Sequence, residues 1–189
     1  MTWTFYLLMR NYHVIGAIRE EVAALASPTS TFIFQSSSMP YTTAVFYESL
    51  RLHPPVPFEL KQCEEATTLP DGTYLPKSSI IMWCTWAMNR SKLIWGSEAA
   101  TFSPERWLAD GKIVSKTAYE YPVFNGGART CLGKKMAELV AVQVIATLVS
   151  QFEFEQIDSR ERISKNSLTL PMEGGLPCTV KLRVIAPKS

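Results

Sequence analysis

The segment 124–133 places one cysteine between a glycine-rich turn and a long apolar stretch. It runs Phe-Asn-Gly-Gly-Ala-Arg-Thr-Cys-Leu-Gly, so that Arg129 lies two residues before Cys131. The first N–H groups of a helix have no partner inside the helix, and the helix dipole is positive at that end. Both effects favour a thiolate over a thiol. The pattern therefore predicts a cysteine fixed at a helix start, as a nucleophile or as a metal ligand.

The composition is that of one folded domain. Hydrophobic residues make up 47% and charged residues 19% of the 189 residues, which allows a core and argues against disorder. A net charge of +2 gives no support for nucleic-acid binding. The four cysteines form no Cys-x-x-Cys pair and there are two histidines. These counts argue against a zinc site and a disulfide framework, so a reducing compartment is the default.

Apolar spacing and turn residues divide the chain into a helical start, a strand-rich middle and a late helix. The predicted helices are 3–10, 13–25, 41–53 and 132–152. Other signals predict a loop at 26–40, a turn at 69–73, a strand at 79–86, a turn at 102–107 and a hairpin that joins 167–170 to 178–185. The last helix is apolar on nearly every face and is therefore expected to be buried.

The run 3–9 is apolar but far too short to span a bilayer. No small-residue cleavage site follows it, so no signal peptide is predicted. The run is typical of the end of a buried helix whose beginning is absent.

Glu48 and Arg51 lie three residues apart on one predicted helix and so share a face. Spacing alone favours a solvated ion pair. The neighbouring residues are apolar and aromatic, however, which allows a buried pair, and a buried pair needs further partners to offset desolvation. Arg106, in the sequence Pro-Glu-Arg-Trp, is a candidate third member.

Cys131 allows three interpretations. It could be a small core residue, as Cys63, Cys84 and Cys178 are expected to be. A catalytic nucleophile would need a histidine base, and neither histidine has a supporting motif. Ligation of iron by thiolate needs no base. It needs a tight backbone, which the glycines supply, and a cation for an acidic cofactor, which Arg129 supplies.

The segment 124–133 resembles the haem-binding signature of the cytochrome P-450 family. The matching positions are Phe124, Gly127, Arg129, Cys131 and Gly133. Glu48-Ser-Leu-Arg51 resembles the family's Glu-x-x-Arg motif on its K helix, and 102–107 resembles the turn whose arginine joins that pair. The resemblance implies a mainly α fold with small β-sheets. In chain order this is the end of the I helix, the J and K helices, a β-rich region, the meander, the Cys loop, the L helix and a C-terminal hairpin.

The resemblance also implies roles for these residues. Cys131 would be the axial ligand of the iron of haem b, and Arg129 would pair with a haem propionate. Phe124 would pack near the porphyrin, while Leu132 and Gly133 would let the next helix start close beneath it. Glu48, Arg51 and Arg106 would form a structural triad, and the chain would hold no other catalytic group. Lys134 and Lys135 would face an acidic reductase, or be ordinary solvated lysines.

The implied activity is insertion of one oxygen atom from O2 into a C–H bond of a lipophilic substrate, with electrons from NADPH through a reductase. The sequence most resembles fatty-acid ω-hydroxylase branches of the family. Candidate pocket residues are Val56 and Phe58 after the K helix and Met172 in the C-terminal hairpin. Each of these residues could equally be an ordinary packing residue with no contact to substrate.

The resemblance covers the chain, but the chain covers less than half of the family's fold. Residues 1–189 are therefore expected to be a single partial domain, with the N-terminal half absent. That half would hold the acid–threonine pair of the I helix and any membrane association. The full-length protein is expected at the cytosolic face of the endoplasmic reticulum membrane. The alternative is a truncated, catalytically inactive fragment that keeps only the haem-ligating region.

Overall fold

Six helices and eight short strands make up the part of the chain that the structure, a computed structural model, describes: residues 1–25 and 37–184. The helices are α1 (Thr2–Met9), α2 (Tyr12–Leu25), α3 (Pro40–Leu52), α4 (Thr85–Met88), α5 (Lys92–Trp95) and α6 (Lys134–Gln151). Short 3-10 turns occur at Pro104–Trp107, Pro122–Phe124 and Gly127–Arg129. Most of the loop predicted for 26–40, and Ile185 at the end of the predicted hairpin, lie outside the described residues.

The strands pair two by two in antiparallel sheets. They are β1 (Glu59–Gln62), β2 (Thr67–Thr68), β3 (Tyr74–Leu75), β4 (Ile80–Trp83), β5 (Leu108–Ala109), β6 (Lys112–Ile113), β7 (Phe152–Gln156) and β8 (Cys178–Leu182). The pairs are β1 with β4, β2 with β3, β5 with β6, and β7 with β8. This mixture of helices and small sheets confirms the predicted fold class.

The core forms around α3, which contacts α1, α2, α6 and the turn Pro104–Trp107. Pro40 begins this helix, where its missing N–H costs nothing, and Pro54 disfavours helical backbone at His53, where the helix ends. α1 is buried on most of its surface, as the apolar run 3–9 predicts. Among the described residues, no helix has the length and hydropathy needed to cross a bilayer.

Several predicted elements are confirmed close to their observed bounds. The first three predicted helices match α1, α2 and α3. The turn at 69–73 connects β2 to β3: Asp71 accepts a hydrogen bond from the N–H of Thr73 (2.9 Å), and Gly72 has φ of +88°. A positive φ is the conformation that glycine adopts without strain.

The predicted strand 79–86 is too long. β4 ends at Trp83, and the chain then turns into α4, so Trp86 lies in a helix. Cys84 caps this helix, because its sulfur accepts a hydrogen bond from the N–H of Ala87 (3.4 Å). An apolar run does not by itself distinguish strand from helix. The turn at 102–107 likewise contains a short 3-10 helix.

The predicted hairpin between 167–170 and 178–185 is wrong. β8 pairs with β7 along Phe152–Gln156 instead. The alternating sequence Phe-Glu-Phe-Glu carries the strand signal. The carboxylate of Glu155 lies 4.0 Å from the ammonium of Lys181, diagonally across the two strands. The segment between the strands contributes one isolated bridge, from Ser164 to Met172.

The prediction that the last helix is buried holds for only part of it. α6 starts at Lys134, and its buried residues begin at Ala141 and end at Val149. In the first half Met136 is 72% exposed and Val140 is 50% exposed. The apolar sequence there has no covering element among the described residues.

Candidate functional site

Cys131 lies just before α6, on a loop held by main-chain hydrogen bonds. Its N–H donates to the carbonyl of Phe124 (2.8 Å), and its own carbonyl accepts from the N–H of Lys134 (3.3 Å). Between these points the hydroxyl of Thr130 donates to the carbonyl of Gly127 (2.9 Å). The cysteine is therefore tied both to Phe124 and to the first turn of α6.

Two glycines are needed for this loop, for different reasons. A Cβ at Gly126 would lie 2.5 Å from Cβ of Ala118, which is closer than carbon atoms approach. Gly127 instead has φ of +60°, with open space around it. A side chain at position 126 would therefore clash, whereas a side chain at position 127 would strain the backbone.

The outer side of the loop combines a thiol, a cation and an apolar surface. Cys131 and Arg129 are both exposed. Within the described ranges, the guanidinium of Arg129 makes no hydrogen bond or ion pair. Leu132 is fully exposed, and Met136 and Val140 continue the apolar surface along α6. These groups remain available to a ligand that is apolar and carries negative charge.

The inner side of the loop is fastened to the core through two tyrosines. Tyr47 on α3 donates its hydroxyl to Glu138 on α6 (2.6 Å), and Tyr121 donates to the carbonyl of Tyr47 (3.2 Å). The ring of Phe124 lies 6.5 Å from that of Tyr121. Burial, and then the Glu138 carboxylate, raise the pKa of Tyr47, and burial raises the pKa of Tyr121. Both tyrosines therefore stay neutral donors.

Glu48 is the centre of a buried polar cluster on α3. Its Oε1 accepts from Nη2 of Arg51 (2.8 Å), from Nε of Arg106 (2.9 Å) and from the N–H of Ser103 (2.9 Å). Its Oε2 accepts from Nε of Arg51 (2.8 Å) and Nε1 of Trp107 (2.8 Å). The side chain is 0% exposed. The structure thus brings together the three residues of the predicted triad, in the buried rather than the solvated arrangement.

Arg51 uses every one of its N–H groups. Beyond the bonds to Glu48, Nη1 donates to the carbonyls of Asn89 (2.7 Å) and Ala99 (2.6 Å), and Nη2 donates to the carbonyl of Thr101 (3.0 Å). The guanidinium also lies over the ring of Trp95, 5.0 Å from its centroid. A buried guanidinium with all donors satisfied ties α3 to the chain between α4 and the turn Pro104–Trp107.

Sequence reasoning missed part of this cluster. Trp107 belongs to the quoted Pro-Glu-Arg-Trp sequence, and a tryptophan beside a buried carboxylate is a signal for an N–H donor. The N–H of Ser103 and the carbonyls that receive Arg51 are main-chain groups. No side-chain pattern could have identified them.

Comparison with known proteins decides the family. A family model described as Cytochrome P-450 matches residues 1–178. The chain belongs to the cytochrome P-450 family. The resemblance predicted from the segment 124–133 is thereby confirmed, together with the partial P-450 fold. Membership implies a haem cofactor.

Three relatives show how much of a cytochrome P-450 the chain represents. It is 34% identical to cytochrome P-450 CYP94D108 of Paris polyphylla, covering 98% of this chain and 39% of the relative. It is 36% identical to cytochrome P-450 94A1 of Vicia sativa, covering 97% and 37%. It is 33% identical to noroxomaritidine synthase of Narcissus aff. pseudonarcissus MK-2014, covering 98% and 38%. The chain therefore spans about two fifths of the length of these relatives.

The residues of this P-450 chain fit a haem. A porphyrin is flat and apolar, its propionates are anionic, and its iron accepts a sulfur ligand. The exposed thiol of Cys131, the guanidinium of Arg129, which pairs with no described residue, and the apolar surface at Leu132 match these three properties. Lys134 is less free, because its ammonium lies 3.9 Å from Glu138 and 5.7 Å from the centre of the Phe124 ring.

The predicted pocket residues do not line one common cavity. Met172 is 8% exposed and lines a cavity of about 350 Å³ with Trp3 and Pro55. Phe58 is 54% exposed and lines a different cavity, of about 380 Å³. Val56 lines neither of these two.

Proposed function

We propose that the full-length protein is a haem-thiolate monooxygenase that inserts one oxygen atom from O2 into a C–H bond of a lipophilic substrate. The observation that carries this proposal is the Cys131 loop. It offers one exposed thiol, one guanidinium that no described residue pairs with, and an apolar surface, on a backbone held at Phe124 and at the start of α6. The Arg-x-Cys spacing of Arg129 and Cys131 supports the same conclusion.

In this proposal the chain's residues hold and orient haem b. Cys131 supplies the sulfur ligand, Arg129 pairs with a propionate, and Phe124, Leu132 and Gly133 shape the surface beneath the ring. When bound, the haem supplies iron for oxygen activation, and a thiolate ligand pushes electron density toward it. Glu48, Arg51 and Arg106 position the loop's surroundings and do not touch the reacting atoms.

We further propose NADPH as the electron source, through a reductase. Lys135 is exposed and is the better of the two lysines for contact with an acidic partner. Lys134 is the weaker candidate because Glu138 already balances its charge. The endoplasmic reticulum membrane is the proposed location of the full-length protein, and residues 1–189 are proposed to be its C-terminal, haem-binding part.

Fatty acids are the proposed substrate class. Support comes from the resemblance to ω-hydroxylase branches and from the two relatives numbered in the 94 group. Met172 is the strongest pocket candidate because it is buried at a cavity wall with Trp3 and Pro55. The similarity to noroxomaritidine synthase favours testing other lipophilic substrates in parallel.

The proposal is tested by Cys131→Ser in the full-length gene product. The variant is expected to lose the thiolate-type Soret band of the reduced carbon monoxide complex, together with turnover of fatty acids. Cys84→Ser is the matched control, because serine is a better helix cap than the cysteine it replaces. An unchanged spectrum in Cys131→Ser would refute axial ligation. If the unmutated protein shows the thiolate-type spectrum but turns over no lipophilic substrate, the result would instead favour the alternative of a catalytically inactive protein.

A further inference from the structure

A cavity of about 260 Å³ lies away from the Cys131 loop, where the ends of α1 and α3 meet the segment 161–162. Three arginines line it, Arg10, Arg90 and Arg162, against one carboxylate, that of Glu161. Like charges gathered at one cavity repel one another, unless a counter-charge separates them. Three arginine side chains against one carboxylate give the cavity wall an excess of positive charge.

His53 at the cavity wall adds no positive charge at neutral pH. Its ring stacks on that of Trp3, with the centroids 4.0 Å apart. Burial, and then the charge of Arg90, lower the pKa of His53 to about 4. The neighbouring arginines therefore set the sign of the potential in the cavity.

Arg90 stabilises the C-terminal end of α3. It donates to the carbonyl of Leu52 at the end of α3 and to the carbonyl of Trp86 (3.3 Å), and its guanidinium lies over the Trp86 ring at 3.9 Å. Cations are favourable at a helix C-terminus. Arg10 likewise lies at the C-terminal end of α1, and Arg162 pairs with Asp158.

Arg10 and Arg162 keep donors that no described residue accepts. Arg10 lies over the ring of Tyr6, 5.3 Å from its centroid, without a hydrogen bond or ion pair in the described ranges. Arg162 pairs with Asp158 (2.6 Å), but its Nε is buried and has no partner there. Tyr6 connects the two, because its hydroxyl accepts from the N–H of Arg162 (3.4 Å). A buried charged donor without an acceptor is costly and rare, so an acceptor is expected for Nε of Arg162, and the exposed guanidinium of Arg10 is free to join it.

We propose that this cavity binds a small oxyanion of the phosphate class, with Arg10 and Arg162 as its ligands. Guanidinium groups match the geometry of phosphate oxygens. The volume is below the roughly 300–1,000 Å³ of sites for drug-sized molecules, which favours a small anion or a single head group. The bound anion would join the end of α1 to the chain that follows β7. The site is independent of haem.

The test is calorimetric titration of the full-length gene product with inorganic phosphate, with chloride adjusted to hold the ionic strength constant. Saturable binding is expected, with a matching rise in melting temperature. Arg10→Gln and Arg162→Gln are each expected to weaken binding by about tenfold or more, because each removes a charged ligand. Arg10 is exposed, so its variant should keep the fold even where Arg162→Gln loses stability.

Arg160→Gln is the matched control, because Arg160 pairs with the same Asp158 but does not line the cavity. Glu161→Gln is expected to tighten binding by removing the one negative side chain of the cavity wall.

Vesicles of phosphatidylcholine with phosphatidic acid form a second arm of the test. Vesicle binding with the same variant profile would identify a lipid head group as the ligand, whereas binding of free phosphate alone would identify a soluble anion. No saturable binding in the wild type, or equal loss in Arg160→Gln, would overturn the proposal. So would phosphate binding that appears only in Glu161→Gln, since Glu161 would then be the resident counter-ion.

Discussion

Trp107 donates its indole N–H to Oε2 of Glu48 over 2.8 Å, although 59 residues of sequence separate them. Both residues are essentially buried, at 1% and 0% exposure. The carboxylate has no water to replace a lost donor, so each donor in the cluster contributes to holding a buried charge. The bond also fixes the turn Pro104–Trp107 against α3.

Replacing this indole should therefore weaken the fold. Trp107→Phe keeps an aromatic ring in the core but removes the donor, and is expected to cost ~1.5–3 kcal/mol, measured by urea unfolding of the full-length gene product. Trp95→Phe is the matched control, because the indole nitrogen of Trp95 is buried without a partner in the described part of the chain. An equal loss in both variants would show that ring size, and not the hydrogen bond, matters.

The Cys131 loop should be sensitive to a single methyl group at Gly126. Gly126→Ala places a carbon 2.5 Å from Cβ of Ala118, so the loop must shift, at a cost of about 1–3 kcal/mol. We expect a lower haem content in the purified full-length protein. Gly16→Ala in α2 is the control: nothing lies within 4 Å of its added carbon, and it should stabilise the helix by roughly 0.5–1 kcal/mol. Normal haem content in Gly126→Ala would contradict the packing argument.

Acid should destabilise the protein through His53. Its pKa is about 4 when folded and about 6.5 when unfolded, so the unfolded state binds more protons between these values. The stability that the neutral, buried His53 contributes is fully present above pH 6.5 and is lost as the pH falls toward 4. The free energy of unfolding then falls by up to roughly 3 kcal/mol. His53→Phe keeps a ring against Trp3 and should flatten stability between pH 4 and 7, as followed by urea midpoints. An unchanged slope in His53→Phe would refute the assignment of this pH dependence to His53.

Alkali should destabilise the protein through its buried tyrosines. Burial raises the pKa of Tyr47 above its ordinary value of 10.0, and the Glu138 carboxylate raises it further. The unfolded chain then loses the proton first, so stability is complete below pH 10 and falls as the pH rises above it. Tyr47→Phe should cost about 1–2 kcal/mol at pH 8 and reduce the further loss toward pH 11. Tyr119→Phe, at an 87% exposed position, should change neither quantity.

The 189-residue polypeptide expressed alone should take up little haem and show no turnover. Cys131, Leu132, Met136 and Val140 are exposed in it, and it spans 37–39% of the relatives' length. The measurement is the haem content and carbon monoxide spectrum of the purified polypeptide beside the full-length gene product. A stable thiolate-type spectrum with substrate turnover would contradict this expectation.

The sequence predicted the four long helices well, because they depend on local patterns, but it missed the short helices α4 and α5. Glycine spacing, Pro40 and Pro54 act within a few residues of their own positions, so the bounds of α3 followed directly. The segment 124–133 could also be matched as a whole, since its residues are contiguous.

Contacts between distant segments were harder to predict. The partner of β8 could not be found from turn signals, because β7 directly follows α6 and lacks a tight turn to β8. The exposure of Val140 depends on which elements cover α6, and an apolar sequence looks the same whether it is covered or not. One of the five donors around Glu48 is the main-chain N–H of Ser103, which leaves no trace in the side-chain sequence.

The hydrogen bond from Trp3 Nε1 to the carbonyl of Leu170 (2.7 Å) spans 167 residues, and Tyr6 meets Arg162 in the same region. At a synthesis rate of about 5–20 residues per second, roughly 8–33 s pass between the two ends of this bond leaving the ribosome's catalytic centre. During that interval the apolar surface of α1 lacks its final neighbours. Chaperones that shield apolar segments during translation should therefore affect the yield of this protein more than its stability once folded.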